Sequence, residues 1–418
     1  MIIARYLLET PLDPEKVAAM MAGEQSAGTF LRVPGETDAV RERHGARVYG
    51  VTVIEERDRP TLASAYLERK GVQGPWRLAQ VEIAYPEDNV GVNLPTLAAV
   101  VAGNLFDLGE VTALRLISVE LRPEYRARYP LPVMGVAGTR RVTDVPDRPL
   151  FGTIIKPNIG MKPDEIAQLV KTLCEAGVDF IKDDEIVANP SCAPVSERVD
   201  AVMRVVNNHR ERTGKEVMVA FNITDELDAM RRHADHVLAQ GGSCVMASLN
   251  WCGLSAMQAL RRHTPLCIHG HRNGAGAFGR HPDHGIAFSA WQTLYRLAGV
   301  DHLHVHGMGG KFADATDEVA DAARQCLTPL GAEDDRVMPV FSSGQWAGTL
   351  GQTYDAIERS KDFLFLAGGG ILAHPDGPKA GVDSLRAAWE SVLSGEDLTQ
   401  HAAHSPALAN ALKTFGSY

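Results

Sequence analysis

The chain has no Cys-x-x-Cys pair, no apolar run long enough to cross a membrane and no surplus of positive charge. Each absence excludes something. The six cysteines (Cys174, Cys192, Cys244, Cys252, Cys267 and Cys326) stand apart, several inside apolar runs, and are expected to be reduced core residues of a cytoplasmic protein. The opening MIIARYLLETPLDPEK carries charge within its first few positions and lacks the apolar centre of a signal peptide, which agrees with that location. Without about 20 successive apolar residues, no membrane partner is expected. Lysine and arginine number 42 against 52 aspartates and glutamates, a formal charge of −10. Nucleic-acid phosphates would demand a basic face, so no such partner is expected either. Small anionic substrates stay compatible, because a local cluster matters more than net charge. What is present is an ordinary globular composition, 45% hydrophobic over 418 residues, long enough for two domains.

Two patterns divide the chain. Residues 1–125 mix strand-like and helical segments and read as a small α+β domain of ferredoxin-like type. MIIARYLLET alternates as a strand, and DPEKVAAMMAGEQ opens with a cap and a first-turn proline, as helices do. ARVYGVTVIEER, LASAYLERK and WRLAQVEIAYP are strand or strand-edge candidates, followed by a helix around Leu94–Val101 and a strand in VTALRLISVELR. Residues 126–148, rich in proline and glycine, read as a connector. From 149 to 418 short apolar strands alternate with amphipathic helices. The strands are Gly152–Ile155, Asp179–Lys182, Val217–Asn222, Cys244–Ser248, Leu266–His269, His302–His306, Met338–Ser342 and Phe363–Ala367. Helices between them include Pro163–Ala176, which starts on a proline and stops at Gly177, Asp225–Gln240 and Ile286–Ala298. Eight such units over roughly 250 residues predict an α/β fold, a C-terminal (β/α)8 TIM barrel. An open doubly wound sheet would more often have fewer strands.

In such a barrel the active site lies where strands end. Polar groups stand at those ends: Lys156 after strand one, Lys182-Asp183-Asp184-Glu185 after strand two, Asn222 after strand three and His269-Gly270-His271-Arg272 after strand five. His304 and His306 follow on strand six, leading into Gly307-Met308-Gly309-Gly310-Lys311. Ser342-Ser343-Gly344 ends strand seven, and Gly368-Gly369-Gly370 ends strand eight. The three carboxylates after strand two offer hard oxygen donors that suit Mg2+. A lysine salt-bridged to acids fits the local spacing equally well. Lysine itself joins a metal site only when neutral, or as an anion formed with CO2. Alternation puts Lys182 and Asp184 on one face and Asp183 on the other. The glycines after strands seven and eight let backbone N–H groups approach a phosphate; tight turns are the alternative. Arg272 with His271 and His304 suits a second anion or proton transfer. The Gly307–Phe312 segment has the glycine content of either a mobile lid or a plain flexible loop.

These residues stand in stretches that resemble the large subunit of ribulose bisphosphate carboxylase/oxygenase, RuBisCO. The stretches are RPLFGTIIKPNIGMKPDE (Arg148–Glu165), GVDFIKDDE (Gly177–Glu185), HGHR (His269–Arg272), DHLHVHGMGGK (Asp301–Lys311), PVFSSG (Pro339–Gly344) and GGG (Gly368–Gly370), in the family's order. AGEQSAGTF (Ala22–Phe30) and VAGNLFDL (Val101–Leu108) extend the likeness through the N-terminal region. The resemblance implies that Lys182 is carbamylated by CO2 and that its carbamate binds Mg2+ with Asp184 and Glu185. It implies that Lys156 transfers protons, that His271 assists, and that Lys311 tips a loop closing on substrate. Arg272 and His304 would hold one phosphate end; Thr29, Gly344, Gly368 and Gly369 would hold the other, and Ser342 would join the substrate- and phosphate-binding set. Glu24, Thr29 and Asn104 would complete a neighbouring subunit's site, so a homodimer or larger homo-oligomer is implied.

The departures decide the expected reaction. Asn158 stands where carboxylases carry a second lysine, Phe30 replaces a tryptophan, Ser343 replaces a glycine, and the loop reads GMGGKF. These features resemble the RuBisCO-like proteins, form IV, and not carbon-fixing enzymes. Activities in that group include a methionine-salvage enolase and an isomerase, and decarboxylation or transcarboxylation/hydrolysis of a 3-oxo-isoapionate 4-phosphate type substrate. The salvage enolase uses a lysine near the position of Asn104, which argues against it here. The expected function is therefore Mg2+-dependent enediolate chemistry on a phosphorylated keto sugar or keto sugar acid. A genuine carboxylase, a salvage enolase or isomerase, and a non-catalytic sugar-phosphate-binding protein are the alternatives.

Overall fold

Strand β1 (Ile2–Thr10) buries every second side chain, with Ile2, Ala4, Tyr6 and Leu8 almost fully enclosed, as its alternating sequence predicts. It belongs to a computed structural model that describes residues 1–28, 33–331 and 333–416 and divides into two units. One unit comprises 1–129, 274–298 and 330–334. In it β1 pairs antiparallel with β3 (Trp76–Tyr85) and β4 (Ala113–Glu120), and β3 with β2 (Arg47–Arg57). A short β10 (Gly285–Ile286) extends the sheet beside β4, giving the order β10-β4-β1-β3-β2. Helix Pro14–Glu24 starts as read, with the Asp13 carboxylate accepting from the Glu15 N–H. One reading fails: LASAYLERK forms no strand. Residues Ala65–Arg69 are helical, because Ser64 Oγ caps the Leu67 N–H and Leu-Glu-Arg favours helix.

The second unit comprises 130–273, 299–329 and 335–418. Its eight strands close a parallel barrel: β5 (Leu150–Ile154), β6 (Phe180–Lys182), β7 (Met218–Asn222), β8 (Cys244–Ser248), β9 (Cys267–His271), β11 (His302–His306), β12 (Met338–Phe341) and β13 (Leu364–Leu366). Every predicted barrel strand is present, with ends displaced by two residues at most. Helix Pro163–Ala176 ends at Gly177, whose φ of 88° is the left-handed conformation that glycine adopts without cost. The stretch read as a plain connector holds helix Gly135–Thr143; the Asp301 carboxylate takes the Met134 and Gly135 N–H groups at its start, at 2.6 and 3.0 Å. Inward side chains from alternate strand positions, among them Leu150, Phe180, Met218, Cys244, Cys267, Met338 and Leu364, fill the barrel as a packed core. Of the cysteines, which form no disulfide, Cys192 is exposed and Cys252 half-buried, so the core reading holds only for the other four. Among the described residues no helix is long and apolar enough to cross a membrane.

Candidate active site

Strands β5 and β6 lie side by side, with Ile154 opposite Lys182. The alternation expected from the sequence separates the neighbouring acids. Asp183 turns outward to Arg198 of helix Val195–Thr213, Nε to Oδ2 at 3.1 Å, and takes the Asn222 N–H at 2.9 Å. Both members of this pair are buried. Lys182 turns inward and is 1% exposed; its Nζ donates to the Asp183 carbonyl at 2.8 Å and lies 3.8 Å from Glu185 Oε2. Burial lowers its pKa, against the opposing pull of Glu185, Asp184 and Asp183. Asp184, equally buried, accepts from Lys156 Nζ at 2.6 Å, and Lys156 also donates to Asn158 Oδ1 at 2.9 Å. The Asn222 amide donates to the carbonyls of Asp184 and Glu185, 3.1 Å to each, and so fixes the turn that carries both carboxylates.

The histidines occupy the other side. His271 Nδ1 accepts from the Asn273 N–H at 3.2 Å, so the neutral ring keeps its proton on Nε2, which stands 3.7 Å from Glu185 Oε2. Burial pushes the His271 pKa well down. His304 uses both nitrogens within the protein, Nδ1 toward Ser342 Oγ at 3.0 Å and Nε2 toward His269 Nε2 at 2.7 Å. Arg272 meets the Asp314 carboxylate at 3.0 Å, and the second oxygen of Asp314 binds His306 Nδ1. Burial opposes ionisation of Asp314, but His306 and Arg272 together hold its carboxyl well below the usual carboxylate range.

Glycines shape the remaining rim. Ser343 and Gly344 both adopt positive φ, 75° and 70°. After β13 a short helix, Gly368–Leu372, begins on three glycines. A side chain at Gly370 would fall 2.9 Å from Trp346 Cβ, whereas one at Gly369 would enter open space. The Gln345 amide ties the segment after β11 to the turn after β12 by donating to the Met308 and Ser343 carbonyls. Lys311 is exposed on that segment with its ammonium over the Phe312 ring. In the other unit Glu24 ends helix Pro14–Glu24 and Asn104 begins the turn Asn104–Asp107; both are exposed. Thr29 and Phe30 lie outside the described residues.

The structure thus gathers Lys156, Lys182, Asp184, Glu185 and His271, and sets His304 beside Ser342. Sequence reasoning missed Asp314, Arg198 and the clamping role of Asn222. Asp314 stands three residues beyond Lys311 in an ordinary loop sequence, and Arg198 four residues into a polar helix, so only the fold reveals their partners. The oxygen donors of Asp184 and Glu185, beside a buried lysine whose charge is disfavoured, are a set that fits a hard divalent cation.

Two family models cover nearly the whole chain: the ribulose bisphosphate carboxylase large chain N-terminal domain over residues 2–125 and its catalytic domain over 135–415. The chain is 47% identical to a 3-oxo-isoapionate-4-phosphate transcarboxylase/hydrolase of Xanthobacter autotrophicus, over 98% of each protein. It is 39% identical to a 3-oxo-isoapionate-4-phosphate decarboxylase of Rhizobium rhizogenes, over 99% of this chain and 98% of that one. The crystal structure of a rubisco-like protein from Burkholderia fungorum superposes with a TM-score of 0.94 at 58% identity, covering 99% of both chains. With fold and relatives in agreement, the chain belongs to the RuBisCO large-chain family, as one of its RuBisCO-like enzymes.

Proposed function

We propose that this enzyme removes or transfers the carboxylate of a phosphorylated 3-oxo sugar acid of the 3-oxo-isoapionate 4-phosphate type, without net CO2 fixation. The observation that carries the reading is Lys156, whose ammonium is held between Asp184 and Asn158 beside the buried Lys182. In carboxylases of the family a second lysine stands at the place of Asn158; here that position accepts a hydrogen bond and supplies no charge. The relatives named for 3-oxo-isoapionate 4-phosphate chemistry match over nearly their full length, and the higher identity falls on the transcarboxylase/hydrolase.

Lys182 as its carbamate, Asp184 and Glu185 would hold Mg2+. When bound, Mg2+ supplies positive charge beside the substrate's carbonyl oxygen. The chain's own groups do the rest. Burial favours the neutral amine of Lys182, the form that reacts with CO2. In a 3-oxo acid the bond to the carboxylate breaks with its electron pair passing toward the 3-oxo group, and the carbon then takes a proton. Lys156 holds a proton for that carbon, and the His271 Nε2–H faces the same side as Glu185. Arg272 is the cation for the substrate's anionic end once Asp314 yields it. The working assembly is a homodimer or larger, in which exposed Glu24 and Asn104 meet a second copy; the location is cytoplasmic.

The test is incubation of the purified protein with 3-oxo-isoapionate 4-phosphate, Mg2+ and bicarbonate, followed by 13C NMR. Loss of the carboxylate carbon, abolished by a chelator, is expected. Ribulose 1,5-bisphosphate with labelled bicarbonate should give no 3-phosphoglycerate. No turnover of any 3-oxo acid phosphate, or formation of 3-phosphoglycerate, overturns the reading.

A further inference from the structure

Beneath the rim, three imidazoles form one hydrogen-bonded column down the inside of the barrel. Ser342 Oγ lies 3.0 Å from His304 Nδ1, His304 Nε2 lies 2.7 Å from His269 Nε2, His269 Nδ1 lies 3.1 Å from His302 Nδ1, and His302 Nε2 lies 2.8 Å from Thr139 Oγ1. Thr139 belongs to helix Gly135–Thr143 and bonds the Gly135 carbonyl at 2.5 Å. His269, His302 and His304 are at most 2% exposed. The rings are neutral, since burial pushes the His269 and His304 pKa values well down and that of His302 to about 3.

The direction of every bond in this column follows from its lower end. A carbonyl only accepts, and the Thr139 oxygen lies closer to it, at 2.5 Å, than to His302 Nε2, at 2.8 Å, so the single hydroxyl proton goes to Gly135. The Thr139 oxygen must then accept from His302, which places the His302 proton on Nε2 and leaves Nδ1 bare. His269 therefore donates from Nδ1, and its bare Nε2 accepts from His304. His304 in turn carries its proton on Nε2, directed down the barrel, and presents a bare Nδ1 at the mouth. The Ser342 hydroxyl donates to it. Cys267 Sγ, 3.2 Å from His302 Nε2, is compatible as a second weak acceptor.

We propose that Thr139 is a positioning residue that acts through His302 and His269 to lock the proton of His304 on Nε2, so that His304 meets ligands at the rim as a hydrogen-bond acceptor. His304 then has no proton to give a phosphate, and Ser342 has none while it donates to His304. The anionic end of the substrate falls to Arg272 and backbone N–H groups, while His304 Nδ1 suits a substrate hydroxyl that displaces Ser342. The consequence for substrate rests on the function proposed above; the tautomer does not, and is read without substrate.

The experiment is histidine side-chain 15N NMR on the full-length protein, with and without inorganic phosphate. His304 is expected to show a bare Nδ1 and a protonated Nε2, unchanged by phosphate. Thr139→Val, close in shape but lacking the hydroxyl, should let the His302, His269 and His304 signals shift toward mixed tautomers, and Thr139→Ser should restore the wild-type pattern. A protonated Nδ1 on His304 in the wild-type protein, or a phosphate-induced imidazolium, overturns the proposal whatever the variants do. Unchanged tautomers in folded Thr139→Val overturn the role of Thr139. Failure of the turnover assay with these NMR results intact would reject the substrate assignment alone.

Discussion

Across the barrel mouth, the lysine–carboxylate half and the histidine half handle burial in different ways. On β5 to β7, charge is met by charge: Asp183 by Arg198, Asp184 by Lys156. A buried ion needs such a partner, and removing one leaves the other stranded. On β9 and β11 three buried rings stay neutral, and each nitrogen needs only the right role, donor or acceptor, from its neighbour. In the first half residue type and strand alternation set the role. In the second the role depends on where a proton sits, and that is decided several residues away.

Replacing Lys182 by methionine should separate the two halves most sharply. The side chain keeps its volume and loses the amine, so the buried site loses its carbamate position without a cavity. Turnover of the 3-oxo acid phosphate should fall by ~10^3-fold or more, while the melting temperature changes little. An active Lys182→Met protein would show that the carboxylate half is structural.

Asp183→Asn attacks the outward face of the same strand. Arg198 would lose the carboxylate it meets at 3.1 Å while fully buried. Breaking a buried pair costs about 3 kcal/mol. Urea unfolding should show that loss, with turnover per folded molecule falling far less than in Lys182→Met. Stability equal to wild type would mean that the remaining bonds of Arg198, to the Ala193, Ala188, Val187 and Asn222 carbonyls, suffice.

Neighbouring positions in one short sequence thus do opposite work, and this much was legible beforehand. The period of two along FIKDDE assigns Lys182 and Asp184 inward and Asp183 outward without any structure. The eight strands were equally legible, since apolar runs bounded by glycine, proline and polar ends leave few other readings. The histidine half was not. His304 beside Arg272 suggests a phosphate pair as long as only residue types are known. It takes His269, His302 and a threonine from a presumed connector to show that both ring nitrogens are engaged. Partners brought together across 163 residues leave no local trace. LASAYLERK misled for the opposite reason: the signal that corrects it, a capping serine ahead of Ala65–Arg69, is local.

Asp314→Asn sharpens the comparison from the histidine side. Arg272 stands just past the end of β9, and Asp314 holds it at 3.0 Å. Removing the carboxylate charge should tighten inorganic phosphate or substrate, by roughly three- to tenfold, and make binding more sensitive to salt. The sign with pH is fixed. The folded carboxyl is held below its ordinary value, so the pair's contribution is complete above the ordinary carboxylate range and is lost only as pH falls through the lower folded value. No titration of this pair should therefore appear in pH profiles from 5 to 9. Weaker phosphate binding by the variant would mean that Asp314 positions Arg272 for the anion and does not compete with it.

The smallest effect is expected at Asn158, where the two halves of the family diverge. Its Oδ1 accepts from Lys156 at 2.9 Å, helping to aim the ammonium that Asp184 also holds. A lysine there accepts nothing and repels Lys156. Because Lys156 is partly exposed, solvent screens most of that repulsion. Asn158→Lys should lower turnover of the 3-oxo acid phosphate by only about two- to fivefold, and should give no carboxylation of ribulose 1,5-bisphosphate, since the Met308–Lys311 segment and the engaged His304 are unchanged. Carboxylation by this single variant would place the divergence at Asn158 alone; its absence, together with a small loss of native turnover, would spread the divergence over the histidine half as well.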